Sequence, residues 1–250
     1  FRQVLESVVD AVGPEVPVIS LTKGFERSTG LRMSQVAADV LSGRPVGVLT
    51  GPNLAREILE GRSAATVIAA TDPSAATALQ GLLASERLRV YTNDDLVGCE
   101  LAGALKNVIA LAAGMAEGLD TGDNARAALI TRGLAEMTRL GVAMGGDPMT
   151  FAGLAGMGDV MATCVSPQSR NRWVGEQVGR GASPESVLAG MDQVAEGVRT
   201  AAVACEMAAT VGVEVPVAEG VRSVFDLGHS PTEVWSTLMS RRAGPEVSTT

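Results

Sequence analysis

The order of extended and helical patterns along the chain is the feature that most limits its fold. In the first ninety residues, short apolar runs alternate with helical patterns. The runs lie near residues 16–21, 44–49, 65–70 and 88–92, and the helical patterns near 32–41, 53–60 and 74–84. Strands that alternate with helices indicate βαβ units, in which successive strands run parallel. We therefore predict an α/β region with a mostly parallel sheet.

From about Asn93 onward the patterns are helical. In the segment that ends near residue 146, apolar residues follow a 4-3-4-3 spacing, which places them on one helix face. We predict that Asp123 or Thr121 caps the start of this helix and that Gly145 ends it. Further helices are expected near residues 170–178, 186–189, 199–210 and 232–239. The residues predicted to form the apolar face are Ile130, Leu134, Met137, Gly141 and Met144.

These patterns divide the chain into two predicted domains, an α/β part over residues 1–95 and an all-helical part over residues 96–245. No GxGxxG motif follows a strand, so the usual pyrophosphate-binding turn of a Rossmann domain is absent from the sequence. Either the fold never had this turn, or the chain is truncated at its N-terminus. The helix-like opening FRQVLESVVDAV favours truncation, because the chain then starts partway through its sheet domain.

Composition excludes several classes of function. The 46% hydrophobic and 19% charged content describes a packed globular protein, and a net charge of −8 argues against nucleic acid as a partner. Three widely spaced cysteines and one histidine indicate a reducing compartment and no metal site. We see no signal peptide and no membrane span, and we expect a cytoplasmic protein. The small residues on its helix faces permit a homodimer.

The sequence uses lysine at only two positions, Lys23 and Lys106, and its other eighteen basic residues are arginines. Lys106 lies among small and apolar residues in CELAGALKNVIALAAG. It is either a lysine that extends along a helix edge to water or a desolvated amine that acts as a general base. Arginine would serve the first role equally well but does not lose its proton near neutral pH, so the choice of lysine favours the second.

Two segments follow predicted strands, where α/β folds bind their ligands. Lys23 lies in SLTKGFE, and either contacts a ligand or is an exposed loop lysine. In LTGPNLAREI, a Gly51-Pro52 turn leads to Asn53, which would cap a helix whose free N–H groups can receive a polar ligand. Such junctions are also common as purely structural features.

The segment AGMGDVMATCVSPQSRNRWVG contains further polar candidates. Ser169, Arg170 and Asn171 are consecutive donors near a helix start, and they form either a phosphate clamp or a capped surface helix. Asp159 either makes an Asx turn or directs its carboxylate at a substrate hydroxyl or at Lys106. Together with the two lysines, these residues suit a dehydrogenase that acts on a small phosphorylated alcohol.

Four long blocks, GALKNVIALAAGMAEGL, GDNARAALITRGLAEMTRLG, FAGLAGMGDV and SRNRWVG, resemble the bacterial NAD(P)-dependent glycerol-3-phosphate dehydrogenase family. The resemblance runs from SLTKGFE to about Met239. It implies a partial Rossmann domain followed by a helical substrate domain of the 6-phosphogluconate-dehydrogenase-like type. It also implies the interconversion of sn-glycerol 3-phosphate and dihydroxyacetone phosphate with NAD or NADP, which supplies the backbone of phospholipids.

Site residues follow from the same resemblance, motif by motif. Lys106 of GALKN would accept the proton of the C2 hydroxyl as hydride leaves, and Lys23 of TKG would contact both cofactor and substrate. The GPN turn usually carries Ser or Thr where this chain has Asn53. The other implied substrate contacts are Gly51, Asn53, Asp159, Ser169, Arg170 and Asn171. The other implied cofactor contacts are Ala55, Arg170, Val194 and Glu196.

Two further interpretations stay open at this stage. A related hydroxyacid or sugar-acid dehydrogenase would share the two-domain plan but take a carboxylate in place of the phosphate. A non-catalytic module that binds a phosphorylated metabolite would bind its ligand without nicotinamide turnover. Such a module would have no chemical need for a lysine at position 106.

Overall fold

The computed structural model describes residues 1–191, 195–242 and 244. Its first part is a four-stranded sheet in the spatial order β1-β2-β3-β4 with helices packed against it. The strands are β1 (Val18–Ser20), β2 (Val46–Thr50), β3 (Ala64–Ala70) and β4 (Leu88–Asn93). The helices are α1 (Arg2–Val8), α2 (Met33–Val40), α3 (Ala55–Leu59) and α4 (Pro73–Leu83).

The sheet is mostly parallel, as predicted, but one pair of strands is antiparallel. Strand β1 pairs parallel with β2, and β3 pairs parallel with β4, whereas β2 and β3 run antiparallel. All of β2 and most of β3 are buried, so both strands have continuous apolar runs. Because such runs look the same in either direction, the sequence pattern did not distinguish the two arrangements.

The second part is helical, as predicted. Its first two helices are α5 (Leu96–Gly118) and α6 (Asp123–Ala143). A short stretch follows with α7 (Pro148–Ala152), a π-helical segment (Leu154–Gly158) and α8 (Asp159–Val165). The remaining helices are α9 (Arg170–Gly179), α10 (Pro184–Ala189), α11 (Glu196–Val211), α12 (Pro216–Phe225) and α13 (Pro231–Ser240). The sequence patterns had not resolved α7, the π-helical segment, α8 or α12.

Helix α5 is the centre of the helical part. Every residue from Gly98 to Ala116 is buried, which is the behaviour of a helix that is apolar all round. In the described part of the chain it is the one helix long and apolar enough to cross a membrane, but 83% of its most apolar stretch is buried inside the protein. Its length and composition are therefore those of a central core helix.

Glycines allow α5 and α9 to pack with their backbones in contact. A Cβ added to Gly114 would lie 2.0 Å from the carbonyl oxygen of Arg172, and one added to Gly175 would lie 2.1 Å from that of Leu111. One turn further on, a Cβ added to Gly118 or Gly179 would lie 2.3 or 2.4 Å from a backbone carbonyl oxygen of the facing helix. The small residues that permitted a homodimer thus already pack within the chain, and the homodimer stays a prediction. The contact fixes the start of α9 relative to α5.

The predicted apolar face of α6 was only partly right. Met137 and Gly141 are buried, but Ile130, Leu134 and Met144 are only partly buried. The buried face includes Glu136, whose carboxylate accepts hydrogen bonds from the first backbone N–H groups of α12, those of Val217 and Ala218, at 2.8 and 2.9 Å. A pattern of apolar residues cannot reveal a buried, hydrogen-bonded carboxylate, and this displaced the predicted face.

The predicted cap of α6 was wrong. Its N-cap is Gly122, with φ of 85°, a conformation that suits glycine. Asp123 lies in the first turn, and the Thr121 hydroxyl donates to the carbonyl oxygen of Ala116 at the end of α5. The helix does end at Ala143, just before Gly145, as predicted.

Replacing Gly175 with alanine should lower the free energy of unfolding by at least about 2 kcal/mol, because the new methyl group would overlap the α5 backbone. The control is Gly81→Ala on the exposed face of α4, where no atom lies within 4 Å of the added Cβ. That substitution should raise the free energy of unfolding by up to about 1 kcal/mol. Urea denaturation measures both changes, and equal effects would contradict the close packing.

Candidate active site

A cleft of about 950 Å³ lies between the sheet and the helical part. Its sheet side is the edge where the parallel strands β1 and β2 end, which is where α/β folds bind ligands. Gly51 contributes a carbonyl oxygen at this edge. Val194, which the resemblance assigned to the cofactor, lies outside the described residues. The other site residues assigned from the sequence all line the cleft: Lys23, Asn53, Ala55, Lys106, Asp159, Ser169, Arg170, Asn171 and Glu196.

Asp159 joins the two lysines. Its carboxylate is 2% exposed, with Oδ2 2.7 Å from Nζ of Lys23 and Oδ1 3.1 Å from Nζ of Lys106. The residue begins α8 directly after the π-helical segment, where the backbone packs tightly around Gly156. Of the roles considered for Asp159, the structure shows an ion pair with both lysines. One carboxylate thus holds the two amines together in the cleft.

Lys23 has three hydrogen-bond acceptors for its three N–H groups. Besides Asp159, these are the carbonyl oxygen of Gly51 at 2.9 Å and Oδ1 of Asn53 at 2.7 Å. Burial lowers the pKa of Lys23 to about 8; the Asp159 carboxylate opposes this shift and the charge of Lys106 adds to it. Lys23 is therefore a partly buried cation that approaches its titration range near neutral pH.

Lys106 is buried rather than extended along a helix edge to water. It is 7% exposed, and its Nζ donates to the Thr163 hydroxyl at 2.6 Å and to Asp159. Described residues therefore occupy two of its three N–H groups, and the amine lies on the cleft wall. This position leaves one N–H for a bound molecule.

Sequence reasoning missed two polar residues beside the lysines. Thr163 lies one turn after Asp159 on α8, and its hydroxyl lies 3.2 Å from Asp159 Oδ1. Asn107 follows Lys106 directly, and its Nδ2 donates to the carbonyl oxygen of Lys23 at 3.2 Å. The i, i+4 spacing in GDVMATC was a signal for Thr163. Asn107 had none, because its side chain acts on a residue distant in sequence.

The start of α9 carries the three residues predicted to form a phosphate clamp, and two of their side chains hold the protein together. Ser169 is the N-cap, and its Oγ accepts from the N–H of Arg172 at 3.2 Å. Asn171 donates through Nδ2 to Asn107 Oδ1 and accepts from the N–H of Gly197, each at 3.0 Å. The capped-helix interpretation therefore applies to Ser169, while all three residues still line the cleft.

The cleft is positive although the whole chain carries a net charge of −8. Lys23, Lys106 and Arg170 face Asp159 and Glu196. Burial raises the pKa of Glu196, and the charges of Arg170 and the two lysines oppose this shift. A local excess of cations attracts an anionic ligand. Among the described residues, no cluster of His, Cys, Asp or Glu is placed to hold a metal ion.

A Rossmann-like sheet joined to a helical part, with lysines and a carboxylate in the cleft between them, defines a dehydrogenase-type protein of two parts. Residues 1–76 match the family model for the N-terminus of NAD-dependent glycerol-3-phosphate dehydrogenase, and residues 95–236 match the model for its C-terminus. The chain belongs to the NAD-dependent glycerol-3-phosphate dehydrogenase family.

Individual relatives agree with this assignment. Glycerol-3-phosphate dehydrogenase (NAD(P)+) 2 of Sphingopyxis alaskensis is 54% identical over 98% of this chain and 74% of its own length. The glycerol-3-phosphate dehydrogenase (NAD(P)+) of Mycobacterium avium is 51% identical over 99% of this chain and 72% of its own length. The crystal structure of glycerol-3-phosphate dehydrogenase from Coxiella burnetii superposes with a TM-score of 0.91 at 34% identity, covering 96% of this chain and 74% of that one.

The lowered pKa of Lys23 predicts how stability depends on pH. Between pH 8 and 10.5 the unfolded chain holds a proton that folded Lys23 has lost, so the free energy of unfolding rises with pH. The contribution is at most about 1.4 kcal/mol per pH unit. Lys23→Met should remove it. Urea denaturation of both proteins from pH 7.5 to 10 measures the difference in slope, and identical slopes would show that Lys23 is not desolvated.

Proposed function

We propose that this chain carries the catalytic site of an NAD(P)-dependent sn-glycerol-3-phosphate dehydrogenase. It would interconvert glycerol 3-phosphate and dihydroxyacetone phosphate by hydride transfer, with Lys106 as the proton acceptor. The observation that carries the proposal is the ion pair of both lysines with the buried Asp159, in a cleft that also holds Arg170. Membership of the family supports the substrate and the cofactor.

The residues present in the cleft fit a nicotinamide cofactor. Apolar side chains of the sheet edge, among them Ile19, Leu21 and Leu49, offer a surface for a flat ring. Lys23 and Arg170 would hold its negative groups, with Ala55 and Glu196 beside them. When bound, the cofactor supplies the acceptor or donor of the hydride.

The Lys106 amine suits a proton transfer because its neighbours can hold it in both protonation states. As an ammonium it donates to Thr163 and Asp159, as the structure has it. As a neutral amine it would accept from the Thr163 hydroxyl, which can act as donor or acceptor. The amine would take the proton of the C2 hydroxyl as hydride leaves that carbon, and return it in the reverse reaction.

The start of α9 would bind the phosphate of the substrate. The guanidinium of Arg170 can donate two hydrogen bonds to one phosphate group, and the positive end of the helix dipole at the N-terminus favours negative charge. Ser169 and Asn171 are tied to the protein by their side chains, so their part in binding would include holding this helix end in place. The cleft would thus bind a phosphate at one end and a hydroxyl near Lys106 at the other.

One observation favours a second assignment of the base. The pKa of Lys23, lowered to about 8, makes this lysine a readier proton acceptor near neutral pH than an ordinary lysine. Its three N–H groups, however, all have protein acceptors, whereas the described residues occupy only two of the N–H groups of Lys106. We therefore assign the base to Lys106, and Lys23 to substrate and cofactor binding.

Several wider expectations belong to this proposal. Glycerol 3-phosphate, formed from dihydroxyacetone phosphate, would supply phospholipid synthesis in the cytoplasm. Residues 1–95 would act as the cofactor domain and residues 96–245 as the substrate domain. A hydroxyacid or sugar-acid dehydrogenase is the rival within the enzymes, and a non-catalytic binding module is the rival outside them. Comparing glycerol 3-phosphate with 2-hydroxyacids in an NAD(P)+ reduction assay separates these three, since the module would bind ligand without turnover.

In the full-length enzyme, Lys106→Arg should lower kcat by about 10²–10⁴-fold, because arginine keeps the charge but cannot accept the proton. Lys23→Arg is the matched variant, and it should raise KM more than it lowers kcat. Steady-state kinetics with dihydroxyacetone phosphate and NADPH measures both, with thermal unfolding as the check on folding. A larger loss of kcat in Lys23→Arg would move the base to Lys23.

Arg170→Ala should raise KM for glycerol 3-phosphate by about 10- to 100-fold, the effect of losing a charge-assisted hydrogen bond to phosphate. Arg180→Ala, at the far end of α9, is the control and should leave KM unchanged, since Arg180 pairs with Glu176 and does not line the cleft. Arg170→Ala should also raise the inhibition constant of inorganic phosphate, a competitive inhibitor, by a similar factor. An unchanged inhibition constant would remove Arg170 from the phosphate site.

A further inference from the structure

A buried carboxylate on α5, to which sequence reasoning gave no role, holds the segment that follows Lys23. Glu100 is 9% exposed. Its Oε1 accepts from the backbone N–H of Ser34 at 2.7 Å, and its Oε2 accepts from the Ser34 hydroxyl at 2.5 Å and forms a close ion pair with Arg32. Every one of these partners lies where the chain enters α2. Glu100 therefore ties that point to the central helix.

The segment between β1 and α2 is a hairpin-like loop. We call residues 21–26 its outgoing leg and residues 31–34 its returning leg. The loop leaves the sheet after Ser20, and Phe25 and Arg32 then pair as an antiparallel bridge. The N–H of Glu26 also donates to the carbonyl oxygen of Leu31 at 2.8 Å. Lys23 lies on the outgoing leg, and Arg32 and Ser34 lie at the end of the returning leg. Because the two legs are bonded to each other, a shift of one moves the other.

Both legs lie against one face of α5. Glu100 holds the returning leg, and Asn107 donates to the carbonyl oxygen of Lys23 on the outgoing leg at 3.2 Å. Between them the lysine stem lies beside Gly103, where an added Cβ would be in ordinary contact with Cγ of Lys23 at 3.6 Å and would crowd the Thr50 hydroxyl at 2.6 Å. Positions 100, 103 and 107 follow the 3-4 spacing of one helix face. The same helix carries Lys106.

We propose that Glu100 is a positioning residue for the reaction: by fixing the returning leg on α5, it sets where the Lys23 amine stands relative to Asp159 and Lys106. Its effect on turnover rests on the proposed function, whereas its effect on the place of Lys23 does not. Glu100 touches neither lysine, so it acts only through the segment from Lys23 to Ser34.

A carboxylate is required at this position because every partner is a donor. Ser34 presents an N–H and a hydroxyl, and Arg32 presents a guanidinium N–H. Glutamine has a single side-chain oxygen, so its N–H₂ group would face some of these donors, and the partly buried guanidinium of Arg32 would lose its charged partner. Glu100→Gln therefore changes few atoms but breaks the attachment.

The variants for the test are Glu100→Gln and the milder Ser34→Ala, which removes one hydroxyl with its hydrogen bonds to Glu100 and from Arg32. The matched control is Glu136→Gln, which alters another buried glutamate that accepts from two backbone N–H groups, on α6 and away from the cleft. All three should lose stability, so loss of stability alone does not decide the question. The deciding measurements must report on Lys23.

The first measurement uses the two lysines of the chain as probes. With lysine labelled by ¹³C at Cε, NMR titration follows Lys23 and Lys106 separately, and Lys→Arg variants assign the signals. In Glu100→Gln, or in Ser34→Ala where Glu100→Gln does not fold, the pKa of Lys23 should rise from about 8 toward its ordinary 10.5, because a loosened segment lets water reach the amine. Glu136→Gln should leave it unchanged. An unchanged Lys23 titration in a folded Glu100→Gln or Ser34→Ala variant overturns the proposal.

The second measurement is a double-mutant cycle in the full-length enzyme. Glu100→Gln should lower kcat/KM by about tenfold in the parent, and by less than about twofold when Lys23 is already alanine, since coupling through Lys23 is then lost. Equal losses in both backgrounds would show a merely structural role and overturn the proposal. If the parent enzyme does not oxidise glycerol 3-phosphate, the proposed function fails, while the NMR titration still decides the role of Glu100.

Discussion

The position of Asp159 between two lysine amines is the interaction on which the rest of the structure depends. Lys23 comes from the end of β1, Lys106 from the middle of α5, and Asp159 from the start of α8. Two ammonium groups out of water need a counter-charge, and removing the carboxylate would leave both of them uncompensated. The sheet and the helical part therefore meet at this ion pair, and the cleft opens beside it.

The helical part is built to bring the start of α9 close to this ion pair. Glycines let α9 lie with its backbone against α5, so the helix end with Arg170 has little freedom to move. Asn107 and Asn171 then link α5, α9 and the first turn of α11 by side-chain hydrogen bonds. The site is thus held by backbone contact and buried amides, which are stiffer than exposed ion pairs.

Much of the architecture followed from the sequence, because apolar periodicity reports which side of an element is buried. It placed the four strands, α2 to α4, α6 and the helices near residues 170, 186, 199 and 232, most within two or three residues of their bounds. For α5 it indicated a helical pattern without bounds. It failed where polar groups are buried or backbone geometry decides: the face of α6 that includes Glu136, the Gly122 cap, and the antiparallel pairing of β2 with β3. Hydrogen bonds between distant residues, such as those of Glu100 and Asn107, left no periodic signal.

The sequence by itself determined the class of fold, the family and the residue types at the candidate site, since these are written in local patterns and in contiguous motifs. It also singled out Lys106, because lysine occurs at only two positions and the other eighteen basic residues are arginines. Only the tertiary structure decided which groups touch: that one aspartate serves both lysines, that Thr163 joins them, and that Glu100 anchors the segment after Lys23. Such contacts depend on the distance between residues remote in sequence, and that distance is fixed only when the helices and the sheet pack together.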